Sequence, residues 1–128
     1  MAPEQKKILI VDDEEIIVDI LKRRFERMGF CVDTACEGAG AIAIIKAHAV
    51  DLVICDIRMP NGTDGEDVLR AAREFVPSAR FVAMSGHIMT DESVKTIMNS
   101  GVSLFLKKPF PSLGEATQQM ANLIDLPA

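Results

Sequence analysis

An α/β domain, built on a parallel sheet with helices on both faces, is the fold this sequence predicts, and three observations predict it. Apolar runs of strand length recur along the chain, helical periodicities fill the intervals between them, and the first run is broken abruptly by acidic residues. Strands apolar on both faces belong inside a parallel sheet, and right-handed crossovers then place helices above and below it. The 128 residues are 48% hydrophobic with a formal net charge of −5, which suits one domain with a substantial core.

The first strand is Ile8-Leu9-Ile10-Val11, stopped by Asp12-Asp13. Ile17, Ile20, Leu21, Phe25 and Met28 then recur at helical spacing until Gly29 ends the helix. The same alternation predicts strands over 30–35, 52–55, 80–84 and 102–106, and helices over 38–47, 66–75, 90–100 and 112–124. Gly101 closes the fourth helix, and Ser112-Leu113-Gly114-Glu115 has the spacing of a capping box at the start of the fifth. Met84, Met98 and Met120 read as core, His48 as a helix-end residue, and residues 3–7 and 126–128 as frayed ends. No linker or internal repeat intervenes, so residues 1–128 form a single domain with a core over about 6–125.

Composition excludes several classes of function. A membrane span needs roughly 20 consecutive apolar residues, and no run approaches that. The acidic balance, with no basic cluster beyond Lys22-Arg23-Arg24, argues against direct binding of a nucleic-acid backbone. Cys31, Cys36 and Cys55 are odd in number and lack Cys-x-x-Cys spacing, so they read as small buried hydrophobes in a cytoplasmic protein. The N-terminus lacks the apolar segment of a secretory signal.

In an open parallel sheet, ligands bind beyond the carboxyl ends of the strands. Those ends carry Asp12 and Asp13, then Asp56, then Ser85, then Lys108. Each has an ordinary explanation alone: Asp12-Asp13-Glu14-Glu15 suits a helix start, Asp56 a loop, Ser85 a turn and Lys108 a solvated charge. Their joint placement at four edges of one sheet points to chemistry. Three close carboxylates repel one another, and a divalent cation relieves them; an all-oxygen set with no His or Cys nearby in sequence favours Mg²⁺ over zinc. Cation and Lys108 together make a site for a dianion. Asp56 is then a nucleophile for phosphoryl transfer, and the Ser85 hydroxyl is a donor to the phosphoryl oxygens.

Asp12-Asp13 after the first strand, Asp56-Ile57-Arg58-Met59-Pro60, Met84-Ser85-Gly86 and Phe105-Leu106-Lys107-Lys108-Pro109-Phe110 together resemble the receiver domain of two-component response regulators. The resemblance covers nearly the whole chain. It implies a flavodoxin-like sheet of five strands in the order 2-1-3-4-5, with five helices. It also implies transfer of a phosphoryl group to Asp56 from the phosphohistidine of a sensor histidine kinase or histidine phosphotransfer protein. The domain would not be an enzyme acting on a separate substrate; it would be a phosphoacceptor that catalyses its own phosphorylation and dephosphorylation and passes the signal to an output domain or target protein. By the same resemblance Asp13, Asp56 and the backbone carbonyl of Arg58 ligate Mg²⁺, Asp12 acts through water, and Ser85 and Lys108 hold the phosphoryl oxygens. Lys107 points elsewhere, because successive strand residues face opposite sides. A cis bond precedes Pro109. Ser85 and Phe105 form the switch, which alters the surface of the fourth helix, fifth strand and fifth helix. Two departures stand out: Gly65 lies nine residues after Asp56 where the family places glycine at eight, and Ser85 replaces the commoner Thr. Arg58 and His87, two residues beyond Asp56 and Ser85, are positioned to tune the lifetime of the phosphoryl group.

Three rival readings carry less, and one of them, a receiver-like binding module that has lost phosphorylation, is opposed by the intact Asp12, Asp13, Asp56, Ser85 and Lys108. Gly38-Ala39-Gly40-Ala41-Ile42-Ala43 fits a dinucleotide fingerprint, but it follows the second strand and sits beside Glu37; small residues there also allow a helix to pack closely on the sheet. A haloacid-dehalogenase-like phosphatase would carry an acid two residues after its nucleophile, and Arg58 stands there.

Overall fold

The computed structural model describes residues 5–58, 65–86 and 90–124. The elements alternate as β1 (Lys7–Val11), α1 (Glu15–Arg27), β2 (Cys31–Ala35), α2 (Gly38–Ala47), β3 (Leu52–Asp56), α3 (Gly65–Phe75), β4 (Arg80–Ser85), α4 (Asp91–Asn99), β5 (Leu104–Lys107) and α5 (Leu113–Ile124). All neighbouring strands are parallel, in the order β2-β1-β3-β4-β5.

The alternation of side chains along each strand divides the core in two. Leu9, Val11, Val53, Cys55, Phe81 and Ala83 face one side, where Ala41 and Ile45 of α2, Val68 and Ala72 of α3 and Ile97 of α4 cover them. Ile8, Ile10, Leu52, Ile54, Val82 and Met84 face the other, against Leu21 and Phe25 of α1 and Met120 of α5. Leu21 and Phe25 lie one turn apart, which is how the periodicity of α1 becomes a buried stripe. Glu15 in its first turn and Arg24 and Arg27 in its last complement the helix dipole. Gly29, at φ 99°, ends the run in a left-handed conformation that an L side chain rarely adopts. The Ser112 hydroxyl accepts from the Glu115 N–H at 3.2 Å, which is the capping contact its spacing predicts.

Several expectations need correction. The edge strands β2 and β5 are only half-buried, because each has a neighbour on one side alone. Met98 is exposed: α4 lies over the edge of the sheet, and Ile97 is its one buried residue. Cys55 is buried, but Cys31 is half-buried on the edge strand and Cys36 is exposed beyond it. Residues 5–7 are not frayed. Lys7 opens β1 and donates its N–H to Asp51 Oδ2 at 2.8 Å, and the Lys6 carbonyl accepts from the Cys31 N–H at 2.9 Å. His48 ends α2, as expected, with its N–H on the Ile44 carbonyl at 2.9 Å.

Candidate functional site

Strand register alone brings the acids together. Val11 pairs with Cys55, so the next residues, Asp12 and Asp56, leave adjacent strands side by side, at the point where the strand order reverses between β1 and β3. Asp13 follows one residue on. Carboxylate oxygens of Asp12, Asp13 and Asp56 lie within 4.8 Å of one another. Ser85 is buried at the end of β4, opposite Lys107 of β5. The Lys108 N–H donates to the Ser85 carbonyl at 2.9 Å, anchoring the residue that carries the ammonium, and the Lys108–Pro109 bond is cis, as the resemblance implies. Lys107 is exposed.

The Lys108 ammonium sits in the middle of the carboxylates. It donates to Asp12 Oδ2 at 2.9 Å, Asp56 Oδ2 at 3.0 Å and Glu14 Oε1 at 2.8 Å. The Lys108 side chain is only 6% exposed. Burial opposes its charge, but the hydrogen bonds to Asp12, Glu14 and Asp56 outweigh that and hold its pKa above the ordinary lysine value. Burial pushes Asp12 upward, partly offset by its bonds to Lys108 and the Glu14 N–H; the charge of Asp56 is a smaller push in the same direction. One carboxylate of the cluster is thus raised, as crowding predicts, though desolvation contributes more than repulsion. Three carboxylates bond one ammonium and Asp13 lies beside two of them, and hard oxygen donors this close fit a divalent cation.

The Asp56 carboxylate is also held from behind, by the Arg58 N–H on Oδ1 at 3.0 Å. Gly65 closes the loop on this point. Its N–H donates to the Ile57 carbonyl at 3.1 Å, and a Cβ there would lie 2.6 Å from Ile57 Cα and 2.7 Å from the Asp56 carbonyl, so only glycine fits. The glycine displaced by one position in sequence therefore still packs against the backbone of Asp56 and Ile57. Arg58 itself is exposed, on a groove shared with Glu66 of α3 and Glu92 of α4. Phe105 is half-buried on β5 against the cluster that contains Phe81 and Ile97. His87 and the extra residue of the loop after Pro60 lie outside the described residues.

Glu14 is the member of the site that sequence reasoning missed; it had passed as one acid in a run at a helix start. The dinucleotide reading fails at its phosphate position. A cavity of about 490 Å³ at the start of α2 is rimmed by Asp12, Glu15, Asp19 and Glu37, which would repel a pyrophosphate.

A parallel sheet in the order 2-1-3-4-5, with an acidic cluster and a lysine at its switch point, is the arrangement the resemblance implies. Residues 8–120 match the response regulator receiver domain, and the chain belongs to that family. The transcriptional regulatory protein YvrH of Bacillus subtilis is 32% identical over 94% of this chain and 50% of its own length. The sensor protein EvgS of Escherichia coli O157:H7 is 35% identical over 84% of this chain and 9% of its own. The chain thus spans half or less of these relatives. A CheY-like receiver domain protein from Methanospirillum hungatei JF-1 superposes with a TM-score of 0.85 at 26% identity, covering 95% of both chains. A response regulator receiver protein from Sinorhizobium medicae WSM419 gives 0.80 at 31% identity, over 95% of this chain and 96% of that one. Among the described residues no helix is long and apolar enough to cross a membrane.

Proposed function

We propose that Asp56 accepts a phosphoryl group from the phosphohistidine of a sensor kinase or phosphotransfer protein, in a Mg²⁺-dependent reaction that the domain itself catalyses. The observation that carries this reading is the Lys108 ammonium bonded to Asp56 within a cluster of carboxylates that share one small volume.

An Asp56 oxygen forms the new P–O bond as the P–N bond breaks, and the imidazole leaves with the electron pair. The Arg58 N–H on Oδ1 fixes the rotation of the carboxylate, leaving Oδ2 to Lys108. Asp13, Asp56 and the Arg58 carbonyl would hold Mg²⁺, with Asp12 contributing through water. When bound, the cation neutralises charge on the transferring group. Lys108 and the Ser85 hydroxyl then meet the phosphoryl oxygens, and Phe105, packed half-buried on the adjacent strand, follows Ser85 to alter the surface of α4, β5 and α5. Arg58 and His87 tune the lifetime of the phosphoryl group, and an output domain or target protein reads the altered surface.

Incubation with a small acyl phosphate, followed by intact mass, tests the reading. The wild type should gain one phosphoryl group only with Mg²⁺ present, and Asp56→Asn should gain none. Full labelling of Asp56→Asn, or labelling undiminished by a chelator, would remove Asp56 or the cation from the mechanism.

A further inference from the structure

Lys108 has three N–H donors, and each is committed to a different carboxylate. Two of these acceptors, Asp12 and Asp56, belong to the trio close enough to share a cation; Glu14 stands outside that trio. Its position is nevertheless fixed. Glu14 is the residue at the start of α1, in an extended conformation (φ −87°, ψ 100°), and its N–H is held by Asp12 Oδ1 at 3.0 Å. A carboxylate here ordinarily gains by turning onto the first N–H groups of the helix. Glu14 makes no such cap and reaches Lys108 instead.

We propose that Glu14 is a positioning residue that holds the third N–H of Lys108 in the unphosphorylated state and yields it to the phosphoryl group. This rests on the phosphoacceptor reading of Asp56. The incoming phosphoryl group needs an N–H from Lys108 before its bond to Asp56 forms, while Asp56 is still a carboxylate, and one existing bond must open to supply it. Releasing Asp12 or Asp56 would strand a buried carboxylate, whereas the Glu14 side chain is 59% exposed and rehydrates on release. Glu14 is therefore the exchangeable partner, and the strength of its hold sets how readily the ammonium turns to the incoming group.

Two variants and two readouts test this. With a small acyl phosphate at saturating Mg²⁺, Glu14→Gln should be phosphorylated roughly twofold to fivefold faster than wild type, the range an exposed ion pair supports. Glu14→Asp keeps the charge but falls short of Lys108 by one methylene, so it should behave like Glu14→Gln. If Glu14→Asp matches wild type while Glu14→Gln is fast, the effect comes from net charge and the contact is irrelevant. In the protein labelled with ¹⁵N-lysine and free of donor, the wild-type Lys108 ammonium should give a slowly exchanging signal that broadens in both variants; an unchanged signal overturns the proposal. Equal rates for wild type and Glu14→Gln likewise overturn it alone, whereas a wild type that gains no phosphoryl group overturns the reading of Asp56 beneath it.

Discussion

The central strands and the flank formed by α4 and β5 are built to opposite standards. Ile8 through Val11 and Leu52 through Cys55 have no exposed surface, and each strand is paired on both sides. On the flank, β5 is half-buried from Leu104 to Leu106 and exposed at Lys107, and α4 anchors to the core through Ile97. Asp12 and Asp56 project from the rigid part, so their separation is fixed by strand register and does not depend on flexible loops. Lys108 and Phe105 come from the other part, where little apolar contact has to be broken for the chain to move. Under the proposed function, charges that hold a constant geometry and a surface that responds are thus assigned to regions of different packing.

The largest test of this contrast is in stability. Phe81→Ala, on β4, removes a fully buried ring from the cluster under α2, α3 and α4, and should cost about 3–5 kcal/mol in urea unfolding. Met98→Ala, on α4, should stay within about 0.5 kcal/mol of wild type. Similar losses for the two would mean that the flank is packed as firmly as the centre.

That contrast also shows what the sequence could and could not reveal. Run length and periodicity located all ten elements to within a few residues at their ends, because each depends on neighbours along the chain. The five candidate site residues at strand ends, Asp12, Asp13, Asp56, Ser85 and Lys108, were legible for the same reason: a parallel sheet places the ends of its strands together whatever the loops do. Burial of Met98 was not legible. Val94, Ile97 and Met98 form an apolar stripe, but how much of a stripe is covered depends on how far the sheet extends beneath it. Glu14 was hidden differently. Its partner lies 94 residues away, and in a run of four acids no local feature marks the one that reaches across to the fifth strand. Gly65 shows the converse, since a shift of one position looked like a departure and the backbone contact it serves is intact.

Amide exchange sharpens the contrast next. With Asp56 phosphorylated, changed protection should concentrate within residues 90–123, which include α4, β5 and most of α5, and spare the amides of β1 and β3. Changes confined to residues outside 90–123 would place the responding surface elsewhere.

The smallest effect concerns the rigid side, where fixed geometry has an electrostatic cost. Burial raises the Asp12 pKa above its ordinary 3.8, so between that value and the raised one the folded protein binds more protons than the unfolded chain. Stability must therefore fall as pH rises through this window, and acidification from neutrality should first relieve the metal-free protein. Asp12→Asn keeps the shape and an oxygen for Lys108 but does not ionise, so the difference between wild type and variant should change with pH in that sense. Saturating Mg²⁺ reverses the preference, because the cation favours the ionised cluster; at a concentration a hundred times its Kd it should add about 2.7 kcal/mol to wild type and less to Asp12→Asn. Thermal melts of both proteins across acid to neutral pH, with Mg²⁺ and with chelator, read all four conditions. A wild type stabilised relative to Asp12→Asn as pH rises without Mg²⁺ would show that Lys108 and the Glu14 N–H more than compensate the buried charge, and that this end of β1 carries no cost for a cation to relieve.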